Sequence, residues 1–366
     1  MSEGVPIIAD QLLAGPPFGE GQAAKERMLL PALEQLTREH YARCEPYRRA
    51  LDAVFGGLKP FYATLADIPF IPVSLFKQFE MRSIPREEVF RVLTSSGTTG
   101  QAVSRIYLDR ETAGRQAKAL VRIMQNFIGK ERLPMVILDH PGVVKSRESF
   151  SARGAGILGL MQFGRQPVYA LRDDMSFDCE KVAAYLRTHA GRPVLFFGFT
   201  FMVWQHAITA LRGIGRTLPS SRGVLIHSGG WKKLESARVD AGAFNAAARE
   251  ALGVEQVINF YGMVEQVGSV FFENKCGALH APVFADVIVR DPATLQPLPP
   301  GRRGMIQVLS ILPQSYPGHS LLTEDLGTWR GVDDATAGMP GRFFHVEGRA
   351  PRSEVRGCSD TYAAQS

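Results

Sequence analysis

The 366-residue sequence predicts a layered α/β protein with a smaller β-rich subdomain towards its C-terminus. Two observations carry this expectation. Apolar runs of strand length alternate with helical stretches through the middle of the chain, the pattern of parallel β-α-β units. Beyond Lys275 the texture changes to short β-like runs, Val283–Val289, Met305–Leu309 and Arg342–Val346, broken by proline and glycine turns.

Taken in order, apolar positions from Ala23 to Phe55 recur at helical spacing, with an interruption at Pro46. The segment Ile68-Pro69-Phe70-Ile71-Pro72-Val73 is too rich in proline for a central strand and reads as an extended stretch on a larger body. The strand-like runs that follow are Val89–Leu93, Met135–Leu138, Val168–Leu171, Val194–Phe197, Val224–Ile226 and Val257–Phe260. The helical stretches between them are Arg110–Phe127, Asp178–His189, Phe201–Arg212 and Asp240–Leu252. We expect an N-terminal helical and extended segment over 1–90, a main body over 91–347 and a tail over 348–366.

Apolar residues make up 45% and charged residues 21%, which excludes a disordered chain, a collagen-like repeat and a disulfide-dense miniprotein. No run of 18 apolar residues is present, so no membrane-spanning helix is expected. The start, Met1 to Pro6, shows no secretory pattern, and Cys44, Cys179, Cys276 and Cys358 form no Cys-x-x-Cys pair. A reducing cytoplasm is the expected compartment. The net charge of +6 is spread along the chain in pairs such as Arg48-Arg49 and Lys232-Lys233. Scattered charge of this kind argues against a nucleic-acid interface and mildly favours anionic ligands.

The strongest local signal for chemistry is Leu93-Thr94-Ser95-Ser96-Gly97-Thr98-Thr99-Gly100, after a strand-like run and ahead of a helix. Glycines let the backbone approach an anion, and hydroxyls add donors, so the loop is suited to phosphates; a Ser/Thr-rich hairpin turn is the plain alternative. It is not a Walker loop, because Gln101 follows the final glycine. Gly154-Ala155-Gly156-Ile157-Leu158-Gly159 satisfies G-x-G-x-x-G, but the polar stretch before it has no strand pattern, and close helix packing explains the small residues better. Asn259-Phe260-Tyr261-Gly262-Met263-Val264-Glu265 delivers an aromatic, a turn glycine and a carboxylate at a strand end, where a metal or nucleotide is well placed. Thr323-Glu324-Asp325 and Gly348-Arg349 are weaker signals.

In this order the segments resemble the adenylate-forming superfamily of acyl-CoA synthetases, luciferases and nonribosomal adenylation domains. The resemblance implies phosphate binding by Ser95, Ser96, Gly97, Thr98, Thr99 and Gly100. It implies adenine contacts by Gly229, Gly230, Trp231, Tyr261 and Gly262, magnesium at Glu265, and ribose contacts at Asp325 and Arg349. Three departures stand out. Val103 occupies the place of the superfamily's loop lysine, with Arg105 the nearest cation. Val264 replaces the threonine before the motif glutamate. The usual mobile C-terminal lid domain is not expected, because the sequence runs only 17 residues past Arg349.

The whole chain resembles the LuxE-type acyl-protein synthetases of bacterial fatty acid reductase. The likeness rests on Ile71 to Lys77, Leu93 to Gly100, Gly198-Phe199-Thr200, Gly229 to Lys232, Tyr261 to Glu265 and Arg356-Gly357-Cys358-Ser359-Asp360. It implies ATP-dependent conversion of a long-chain fatty acid to an acyl adenylate and attack by Cys358. The acyl group then passes to a reductase partner. Adenylation makes a carboxylate electrophilic, a thiolate is a competent acceptor, and Arg352 and Arg356 would favour the Cys358 thiolate. Phe197, Gly198 and Phe199 are candidates for an acyl pocket. Two other readings stay open at this point: a ligase serving coenzyme A or a carrier protein, and a non-catalytic nucleotide-binding subunit.

Overall fold

The computed structural model describes residues 4–95, 103–144, 152–231 and 239–350. They fall into two units, one from residues 128–260 and the other from residues before 96, 103–127 and 261–350. Among the described residues no helix is long and apolar enough to cross a membrane.

The 128–260 unit holds the alternating pattern. Its strands are Leu133–Ile137, Gly164–Tyr169, Pro193–Phe199, Arg222–Ser228 and Val254–Tyr261, the last ending at the first residue of the other unit. All neighbours pair in parallel, with Met135 opposite Leu195, Phe196 opposite Leu225 and Leu225 opposite Val257. The crossovers are helices Ala152–Met161, Cys179–Thr188, Thr200–Gly213 and Ala241–Leu252. The third contains a π-helical stretch, Val203–Ile208. Asp178 and Asp240 cap their helices by accepting from Lys181 N–H and Ala243 N–H. Leu133–Ile137 is buried throughout, as a strand covered by helices on both faces must be.

In the other unit, antiparallel strands run in the order Ala285–Arg290, Gly304–Ser310, Ser320–Val332, Arg342–Arg349, Leu279–His280 and Phe271–Glu273. Ile71–Pro72 joins this sheet by pairing in parallel with Leu321 and Leu322. The N-terminal helices Val5–Ala14, Gln22–Arg43 and Glu45–Phe55 break at Cys44, and Pro46 sits in the first turn of the third, where its missing N–H costs nothing. Lys25 of the second helix lies 3.5 Å from Asp286 in the sheet, both fully buried, and Arg342 reaches the same carboxylate at 3.3 Å.

Two sequence expectations change, and one is kept. The Val89–Leu93 run is not a strand of the parallel sheet: Arg91–Thr94 pairs antiparallel with Arg105–Leu108 in a two-stranded ribbon. The connection between them is too short for a crossover, which takes a dozen or more residues. The hydroxyl-rich loop therefore leads into a strand rather than a helix. The G-x-G-x-x-G run lies inside helix Ala152–Met161; a Cβ at Gly156 would sit 2.9 Å from Cζ of Phe199, so the glycine serves close packing, as the plainer reading has it.

Candidate active site

The discontinuous unit gathers Tyr261, Glu265, Asp325 and Arg349. Tyr261 closes its strand with its ring against Phe271 and edge-on to Phe344, at centroid distances of 6.1 and 6.2 Å. Its hydroxyl donates to Oδ2 of Asp325 at 2.7 Å. Asp325 and Arg349 are cross-strand partners in the antiparallel ladder, and Nε of Arg349 lies 3.5 Å from Oδ1 of Asp325. Thr323 fixes the backbone there: its Oγ1 accepts from Asp325 N–H at 3.1 Å and donates to the Ile306 carbonyl at 2.8 Å. Burial raises the Asp325 carboxyl above its ordinary value, with Tyr261 and Arg349 pulling the other way. Burial and the Asp325 charge hold the Tyr261 phenol well above its ordinary value, so it keeps its proton and donates. An ionised carboxylate has about four lone-pair sites, and these two partners leave some for ligand hydroxyls.

Glu265 stands on a 3-10 turn, Val264–Gln266, and is buried. Gln266 holds that turn by donating from Nε2 to the carbonyls of Gly318 at 2.7 Å and Val308 at 3.2 Å. Burial raises the Glu265 carboxyl, opposed by the Ser104 hydroxyl and the Lys77 ammonium. Among the described residues no three His, Cys, Asp or Glu side chains gather as a metal cage. A lone buried carboxylate still fits magnesium, which commonly takes one or two carboxylates together with substrate phosphates.

In the 128–260 unit, Gly229, Gly230 and Trp231 follow the carboxyl end of Arg222–Ser228. Gly229 has φ +92°, a conformation that suits glycine and brings its backbone close to the Phe199 ring. Trp231 is buried, edge-on to Trp204 at 5.4 Å and to Phe244 at 6.1 Å. His227 shares a 2.9 Å hydrogen bond between Nδ1 and the Thr200 hydroxyl, and burial lowers its imidazole to about 3, so it is neutral. Phe197 and Phe199 share one face of their strand with rings 5.7 Å apart; Gly198, facing the other way, approaches Leu138 and Val203.

Of the phosphate-loop candidates, Ser95 is described. Its hydroxyl accepts from Ser104 N–H at 2.9 Å, tying the neck of the ribbon and leaving its own proton to donate. Ser96, Gly97, Thr98, Thr99, Gly100 and the tail thiol Cys358 lie outside the described residues. Cys44 and Cys179 are buried and Cys276 is exposed. Sequence reasoning gave no role to Lys77 or to the buried pair Asp139–Arg153, 3.1 Å apart at the carboxyl end of Leu133–Ile137. Two signals were available: Lys77 closes the Ile71-to-Lys77 motif, and Asp139 directly follows an apolar strand.

The architecture is that of the adenylate-forming ligases. A crystal structure of an open conformation of 2-hydroxyisobutyryl-CoA ligase, in complex with 2-HIB-AMP and CoA, superposes with a TM-score of 0.66 at 18% identity, covering 90% of this chain and 70% of that one. Within that class the sequence matches the acyl-protein synthetase family, LuxE, over residues 4–365, and the chain belongs to that family. It is 24% identical over 364 residues to the long-chain-fatty-acid–luciferin-component ligase of Vibrio harveyi, covering 96% of this chain and 92% of that protein. The Aliivibrio fischeri ligase of the same name is 22% identical over 337 residues, covering 89% and 86%.

Proposed function

We propose that this synthetase uses ATP and magnesium to activate a long-chain fatty acid as its acyl adenylate, then moves the acyl group to its own Cys358 for delivery to an acyl-protein reductase. The observation that carries the reading is the Tyr261–Asp325–Arg349 cluster, a hydrogen-bonded carboxylate with acceptor capacity to spare beside an aromatic ring. Such a carboxylate accepts from the vicinal hydroxyls of a ribose, and Arg349 favours its charged form and orients it. Tyr261 would flank adenine beside the backbone of Gly262, and Gly229, Gly230 and Trp231 keep the nucleotide-binding roles that the family resemblance implies. Ser95 and the loop after it, to Gly100, would donate to phosphates. Glu265 would hold the magnesium, whose charge offsets that of the phosphates. Phe197, Gly198 and Phe199 would border the acyl chain.

Attack of the fatty carboxylate on the α-phosphorus expels pyrophosphate and leaves a mixed anhydride. The Cys358 thiolate then attacks the acyl carbon, expelling AMP and forming a thioester. The tail from 348 to 366 would act as a short hinged arm carrying that thiol, in a cytoplasmic setting that keeps it reduced.

Incubation with ATP and labelled fatty acid, followed by mass spectrometry, tests the reading. Label should sit on Cys358. The Cys358→Ser variant should keep ATP–pyrophosphate exchange and lose covalent acylation, because a serine hydroxyl without an adjacent base is a far weaker nucleophile. Undiminished, hydroxylamine-labile label on Cys358→Ser would place the nucleophile elsewhere and favour a coenzyme A or carrier-protein acceptor. Absence of exchange with any fatty acid would leave a nucleotide-binding subunit.

A further inference from the structure

Three arginines meet at the amino ends of three adjacent parallel strands, the opposite edge of the sheet from Gly229 to Trp231. Arg132 immediately precedes Leu133–Ile137, Arg192 immediately precedes Pro193–Phe199, and Arg165 is the second residue of Gly164–Tyr169. The ladder aligns Pro134 with Arg165 and Met135 with Leu195, so Arg132 and Arg192 stand level and Arg165 follows two residues further along its strand. They line a cavity of about 410 Å³ whose one acidic lining residue is Glu131.

Elsewhere in this unit Arg153, Arg172, Arg212 and Arg216 each pair with a carboxylate. Arg132, Arg165 and Arg192 have no such partner among the described residues. With Glu131 the one acidic residue beside them in the lining, the cavity carries an excess of positive charge. The neighbouring His189, edge-on to Tyr185 at 4.6 Å, registers it: burial first, then the charges of Arg165 and Arg192, lower its imidazole below the ordinary value. The backbone beside Arg165 is also held in place. Gln166 adopts φ +49°, uncommon for a residue with a side chain. Its carbonyl accepts from the Tyr185 hydroxyl at 2.8 Å, and that hydroxyl accepts in turn from Met135 N–H at 2.9 Å.

We propose that this cavity is a second anion site, for a small molecule bearing phosphate groups. Guanidinium forks match phosphate oxygens in pairs, and the volume falls within the roughly 300–1,000 Å³ of small-molecule sites. A concavity at the strand ends, with its three arginines around it, suits a compact polyanion better than an extended acidic segment of a protein. The site is independent of the ligase reading, since its residues take no part in adenylation.

The test is calorimetric titration of the full chain with inorganic tripolyphosphate at physiological ionic strength. Wild type should show a saturable site that Asp325→Ala retains. The combined Arg132→Gln, Arg165→Gln and Arg192→Gln variant should weaken that site by roughly tenfold or more, given about two- to fivefold per exposed charge. All three side chains are exposed, so its circular dichroism should match wild type. Glu131→Gln should tighten the site by about twofold on the same scale. Wild-type affinity in the triple variant, or no saturable binding by wild type, overturns the proposal. So does a poly-glutamate peptide that binds wild type more tightly than tripolyphosphate and is lost in the triple variant, an outcome that marks the patch as a protein-docking surface.

Discussion

Replacing Tyr261 with phenylalanine removes one oxygen and leaves the ring in place against Phe271 and Phe344. What is lost is the 2.7 Å donation to Asp325. A hydrogen bond to a charged group contributes about 1.5–3 kcal/mol. Arg349 at 3.5 Å is the weaker of the two partners, so the carboxylate is left short of donors and the loss should fall in that range. The deficit should depend on pH in a definite direction. The folded-state pKa of Asp325 lies above its ordinary value, so its contribution to stability is present at low pH and is lost as pH rises through the folded pKa. Removing the donor raises that pKa further and widens the loss at neutral pH. Urea denaturation should therefore show the full deficit at pH 7. Near pH 3, where the carboxyl is protonated, only the smaller cost of a neutral bond, about 0.5–1.5 kcal/mol, should remain. In turnover the ATP requirement should rise while that for fatty acid stays put. An equal deficit at both pH values, or none at pH 7, would refute the assignment of this bond as charge-assisted.

Glu265→Gln should lower ATP–pyrophosphate exchange by several orders of magnitude. It should also raise the urea midpoint at pH 7, because burial holds the folded carboxyl above its unfolded value and its charge opposes folding there; near-normal exchange would remove Glu265 from the site. Asp286→Asn should cost about 3–5 kcal/mol of unfolding free energy by leaving Lys25 buried without its anion, and an unchanged midpoint would contradict that pairing. Burial lowers His40 and His227 to about 3 and His280 to about 4. Their contribution is present above the unfolded pKa near 6.5 and fades as pH falls below it, by up to about 1.4 kcal/mol per pH unit for each ring. A flat unfolding free energy between pH 7 and about pH 5.5 would show that those rings accept protons while folded.

The parallel sheet was legible because its code is local: Val194–Phe197 and Val224–Ile226 are apolar runs with no competing interpretation. Val89–Leu93 misled because periodicity describes a strand and not its partner, and the partner, Arg105–Leu108, was masked by polar ends. The β-rich texture after Lys275 was visible as well. Its association with the N-terminal helices was not, since that depends on Lys25 meeting Asp286, and isolated charges carry no address in a sequence. At the candidate site, Tyr261, Glu265, Asp325 and Arg349 were found through motif order. The bond from Tyr261 to Asp325 was beyond reach, because a hydrogen bond between positions 64 apart leaves no periodic trace. The arginine cavity escaped for a related reason: Arg132, Arg165 and Arg192 become neighbours through strand register alone.

The way the chain is shared between the two units bears on its synthesis. Residues 128–260 carry all five parallel strands but for Tyr261, so this unit can close once that stretch has left the ribosome. The other unit has to wait. Ile71 pairs with Leu321 and Lys25 with Asp286, so early segments spend most of translation without their partners. During that interval Leu29, Leu33 and Leu36 of the second helix, all fully buried in the finished fold, belong to a unit that is still incomplete. Nascent chains with unsatisfied apolar surface are the ones that aggregate or engage chaperones. A ribosome stalled before residue 320 would thus carry a protease-resistant middle flanked by a cleavable beginning, and slow translation would lengthen the exposure of the N-terminal helices rather than protect them.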